Sequence, residues 1–137
     1  MYFQDIKPVS ANSMYNAFRG SVCKSSKYKA FEKEISALLS CRIPAIRHFE
    51  SLFTRKENSL SCRVIIEIPR SDFYTKDGFI PKKRNDIDNF NKTLIDSVFK
   101  SFKILDDSYI LELISIKRLS KDGVYNARIR LEIGTLD

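Results

Sequence analysis

The chain has 137 residues, 43% hydrophobic and 30% charged, with 4 Gly and 4 Pro, a make-up that excludes disorder and low complexity and fits one self-supporting domain over 1–137. Lys and Arg outnumber Asp and Glu by 24 to 17, a net charge of +7, which favours a polyanionic partner such as nucleic acid. Cys23, Cys41 and Cys62 are odd in number and include no Cys-x-x-Cys pair, which excludes a disulfide framework and a thiolate zinc site. No apolar run is long enough to cross a membrane, and the first residues lack the basic region and hydrophobic stretch of a leader, so a soluble, cytoplasmic protein is expected.

In chain order, residues 1–7 read as a short strand stopped by Pro8, and the polar run 10–13 as a turn within an ordered surface loop over 9–25. Over 26–42, Tyr28, Phe31, Ile35, Leu38 and Leu39 recur at three- and four-residue steps behind a possible Ser25 or Ser26 cap, which predicts an amphipathic helix. Pro44 stops that helix, and 43–58 stays unassigned between a short helix and an irregular segment. Alternation of Leu60, Cys62, Val64, Ile66 and Ile68 with Ser61, Arg63, Ile65 and Glu67 predicts a long strand ending at Pro69.

A loop is expected over 70–84, with a short β excursion around Phe79 and Ile80. From Asp88 to Phe102 the positions Phe90, Leu94, Ile95, Val98, Phe99 and Phe102 keep helical spacing, so this is the second main helix. Residues 110–116 suggest a mostly buried strand, and Asp122-Gly123 turns the chain into the alternating run Ala127, Ile129, Leu131, Ile133. The expected architecture is α+β: a small mixed sheet packed with two main helices, its C-terminal third a hairpin behind the second helix.

Asp86 and Asp88 stand two residues apart where that helix begins, and Asp107 opens the following strand. Carboxylates gathered on a basic chain are most simply explained by a magnesium or manganese ion acting on a phosphate polymer, because these hard cations prefer oxygen ligands and keep places for water and phosphate. The helix itself carries the chain away from Asp86 at 1.5 Å per residue. Asp107 reaches the acidic pair only if residues 103–106 first run back along the helix.

Lys92 follows Asp88 by four residues and precedes Asp96 by four. Such a ladder is either an exposed salt-bridge stripe or, beside a metal, a cation for charge developing on a phosphate. An EF-hand is excluded because Phe90 and Asn91 fall where a ligand and the Gly should stand, and there is no Gly-x-x-x-x-Gly-Lys run. The only His is His48, and no Gly-x-Ser-x-Gly setting exists, so a Ser-His-Asp mechanism has little support.

The run Arg84-Asn85-Asp86-Ile87-Asp88-Asn89-Phe90-Asn91-Lys92, followed by Asp96 and then Leu105-Asp106-Asp107, resembles the signature of the RusA family of Holliday junction resolvases. Pro8-Val9-Ser10-Ala11-Asn12, Tyr15 and Tyr28-Lys29 resemble that family's N-terminal approach to its first helix. The departures are Asn85, at a position that is often basic, and a longer 69–83 segment.

The resemblance implies a homodimer that binds four-way DNA junctions and nicks two opposed strands during recombination and repair. It assigns Asp86, Asp88 and Asp107 as ligands of magnesium or manganese and Lys92 as the catalytic lysine. Asn89, Asp96 and Asp106 take supporting roles. Lys82, Lys83 and Arg84 are the leading DNA contacts, with Arg19, Lys24 and Lys27 next. The rival readings are a branched-DNA-binding module that does not cut and a nuclease acting on forks or flaps.

Overall fold

The computed structural model describes residues 1–18, 20–79 and 87–136. Its elements are β1 (Tyr2–Gln4), β2 (Tyr15–Phe18), β3 (Ser21–Lys24), α1 (Ser26–Leu39), α2 (Ile43–Ser51), β4 (Asn58–Ile68), α3 (Arg70–Phe73), α4 (Ile87–Phe99), β5 (Ile110–Leu119) and β6 (Asn126–Thr135). Mixed α+β architecture with a small mixed sheet is therefore as expected. No described helix is long and apolar enough to cross a membrane.

The main sheet has the order β1-β6-β4-β5, with β4 antiparallel to β6 and parallel to β5. This corrects the expected C-terminal hairpin. The turn at Asp122-Gly123 exists, with Gly123 at φ 76°, but β4 lies between the two strands that it joins. Period-two alternation marks a strand and its faces; it carries no information about which strand lies alongside. Because β4 and β5 are parallel, they need a crossover connection, and α4 is the main helix described in it, after the single turn of α3.

On β4, Leu60, Cys62, Val64, Ile66 and Ile68 are all buried. Cys62, Val64 and Ile66 stand opposite Leu131, Ile129 and Ala127 of β6, so one face of the sheet is apolar. Tyr28, Phe31, Ile35 and Leu39 of α1 and Phe90, Leu94, Ile95, Val98 and Phe99 of α4 complete one core cluster with it. The start of α1 is fixed by Ser25, whose Oγ accepts from the Tyr28 N–H at 3.1 Å.

Four other segments refine or depart from the sequence reading. Within 9–25 the structure holds a 3-10 turn and the antiparallel β2–β3 ribbon rather than a plain loop. The unassigned 43–58 stretch contains α2, where Pro44 occupies the first turn, the one place in a helix that tolerates it. Around Phe79 there is no strand; its N–H bonds Thr75 Oγ1 at 3.0 Å in a local turn, and Ile80 lies outside the described residues. Strand β5 is not mostly buried: it is a sheet edge, with Leu111 67% and Leu113 49% exposed.

Candidate active site

The apolar stripe of α4 faces the core, which leaves Asp88, Lys92 and Asp96, spaced four residues apart, on one outward strip of the helix. These three line a cleft of about 400 Å³ with Asn91, Ile95, Asp107, Ile110 and Leu113. Asp107 does return to the helix, and the described structure shows how. It sits on a 3-10 turn (Asp107–Tyr109) just before β5, so the carboxylate arrives before the edge strand begins.

The return is held by α2. Glu50, 2% exposed, accepts the backbone N–H groups of Lys103 at 3.0 Å and Ile104 at 2.6 Å. Arg47 Nη1 donates to Glu50 at 2.8 Å and to the Ser101 carbonyl at 2.9 Å. In the sequence this pair is an ordinary i,i+3 charge pair, and nothing in its spacing points to the backbone that it binds.

Asp106 finishes the turn. Its carboxylate accepts from the Ser108 N–H at 2.9 Å and from the Ser108 hydroxyl, and these bonds hold it below the usual carboxylate range. Asp106 therefore shapes the turn that presents Asp107. Asn89 is the third residue of α4.

Lys92 is exposed, its side chain 58% accessible, and lies 3.7 Å from Asp96. Burial pushes the Asp96 carboxyl above its ordinary range; Lys92 opposes that shift, and the negative charges of Asp107 and Glu32 add to it. The cleft is thus already acidic enough for one carboxylate to be felt by another. Behind it, Glu32 of α1 bonds Lys24 at 3.0 Å and Lys100 at 2.5 Å. Burial raises the Glu32 carboxyl, but bonds from Lys100, Lys24 and Tyr28 outweigh that and hold it low.

Of the expected DNA contacts, Lys24 is engaged with Glu32 and the Tyr28 ring, and Lys27 is exposed on the first turn of α1. Arg19, Lys82, Lys83 and Arg84 lie outside the described residues, as does Asp86. Among the described residues no three of His, Cys, Asp and Glu group closely enough to hold a metal ion. The carboxylates of Asp88, Asp96 and Asp107 among the lining residues are oxygen donors, and Asn91, which also lines the cleft, has a buried Oδ1 with no hydrogen-bond partner among the described residues. That chemistry fits a hard divalent cation.

A search of curated proteins returns no match for the chain. A family model does match: the one described as Endodeoxyribonuclease RusA covers residues 5–133. The matched span begins just after β1, ends within β6 and includes the cleft, so the likeness extends over nearly the whole architecture rather than one short motif. With nearly its full length matched, the chain belongs to the RusA family of endodeoxyribonucleases.

Proposed function

We propose that this protein is a magnesium- or manganese-dependent endonuclease that acts as a homodimer on four-way DNA junctions, nicking two opposed strands symmetrically in recombination and repair. The observation that carries the reading is the meeting of Asp88, Lys92, Asp96 and Asp107 in one cleft from two separate stretches of chain. Family membership supplies the endonuclease.

Asp88 and Asp107 would hold the cation, together with Asp86 of the motif. When bound, that ion supplies a water of lowered pKa and a Lewis acid for the phosphate. Lys92 brings a positive charge to the same cleft, suited to the charge that builds on a phosphate under attack. Asp96 keeps the Lys92 ammonium on the cleft side of α4 through their 3.7 Å contact. Hydrolysis then needs no covalent enzyme intermediate, in keeping with a cleft whose described lining lacks Ser, Cys and His. A two-fold dimer would offer two such clefts to a junction that has two-fold symmetry of its own.

The test is incubation with a synthetic four-way junction and magnesium, beside an Asp88→Asn variant. Paired nicks by the parent, lost in the variant and without chelated metal, are expected. Comparable rates on junction, fork and linear duplex would remove the junction assignment, and no cleavage at all would remove the nuclease.

A further inference from the structure

Asn91 stands between Asp88 and Lys92 on α4 and is only 4% exposed, yet it borders the cleft. Its amide nitrogen donates to Ser115 Oγ on β5. The amide oxygen, Oδ1, is buried and has no hydrogen-bond partner among the described residues. Folded proteins rarely leave such a carbonyl unsatisfied.

Its surroundings decide what could satisfy it. Asp88, Asp96 and Asp107 offer acceptors when ionised, which cannot donate to a carbonyl. Lys92, the one ammonium among the described lining residues, is directed at Asp96. An amide oxygen among carboxylates suits a cation or the water that a cation carries, because magnesium and manganese take oxygen ligands and retain much of their hydration shell.

We infer that Asn91 is a positioning residue of the cation site, its Oδ1 gripping the hydrated divalent ion that Asp88 and Asp107 attract, with Ser115 holding the amide in that orientation. The inference rests on the metal-dependent reading above and adds to it a residue outside the acidic set. Ser115 lies on the strand and Asn91 on the helix, so the bond between them ties α4 to β5 beside the cleft.

The experiment measures Mn²⁺ binding to the full chain without DNA, by electron paramagnetic resonance of the free ion, with thermal unfolding of the metal-free proteins alongside. Asn91→Leu keeps the branched shape and removes the acceptor together with the donor to Ser115; its Kd for Mn²⁺ should rise about tenfold, as for loss of other groups that orient metal ligands. Asn91→Asp keeps the oxygen and adds charge, and should bind at least as tightly as the parent. Should Asn91→Leu fail to fold, the double variant Asn91→Leu/Ser115→Ala removes both polar partners together and takes its place. Equal binding by the parent and the Leu variant, or weaker binding by the Asp variant, overturns the role of Asn91 and leaves the nuclease standing. A parent that binds no Mn²⁺ overturns both.

Discussion

Glu50 accepts the backbone N–H of Ile104 at 2.6 Å, and through that bond a helix remote from the chemistry sets where Asp107 sits. Removing the carboxylate by Glu50→Ala empties a buried position, takes the acceptor from two backbone N–H groups and leaves Arg47 only the Ser101 carbonyl. The expected loss is about 1–3 kcal/mol of stability, read by chemical unfolding. Junction cleavage by whatever fraction remains folded should fall as well, because the 101–106 segment is released. A variant that melts early yet cleaves at the parental rate per folded molecule would show that the segment keeps its course unaided.

Lys92 is the opposite case. Its contact with Asp96 is exposed and long, so Lys92→Met should change stability by no more than about 0.5 kcal/mol. Cleavage should nevertheless drop by roughly 10²-fold or more, the usual cost of losing one group that stabilises transition-state charge. Single-turnover rates on a junction at saturating protein separate this from weaker DNA binding.

Glu32 links stability to pH. Its carboxyl is held below its ordinary value near 4.5 by the neighbouring lysines and Tyr28, so the folded state releases the proton more readily than the unfolded chain. The stabilisation is complete above that ordinary value and is lost as pH falls through the lowered one. Glu32→Gln leaves Lys24 and Lys100 facing a neutral amide and should cost about 1–3 kcal/mol at neutral pH. The gap between parent and variant should close on acidification; a gap that stays constant from pH 7 to pH 3 would assign the loss to packing.

The cysteines give a count of folded structure. Burial pushes the Cys62 thiol up to about 11, whereas Cys23 and Cys41 are exposed. Mass spectrometry after brief alkylation at pH 8 should find Cys23 and Cys41 modified in the native protein and Cys62 only after unfolding. Rapid native labelling of Cys62 would mean that the β4–β6 ladder opens easily.

Single-element structure was legible where one period dominates, as in α4 and β4, whose buried apolar residues are those that the spacing selects. Pairing was not. The turn at Asp122-Gly123 suggested a hairpin, but β6 takes β4 as its neighbour, a choice set by the apolar faces of three strands at once. The β2–β3 ribbon escaped because its side chains are largely exposed and so show no in-out alternation. At the site, Asp88, Lys92, Asp96 and Asp107 were found from the motif, whereas Glu50, Arg47 and Ser115 were not. Their partners are backbone groups or an amide on another element, and no spacing in the chain encodes such a meeting.

The parallel pairing of β4 with β5 also bears on when this protein acquires its acidic cleft during folding. Local contacts can build α1, α4 and the β2–β3 ribbon early, but the β4–β5 ladder closes only after the chain has spanned the whole 69–109 connection, a step with high contact order and correspondingly slow. Asp88 and Asp107 lie toward opposite ends of α4 and its return segment inside that connection. They face each other only once the crossover is made, so a partly folded chain carries basic surface able to attract DNA before it carries the assembled cleft.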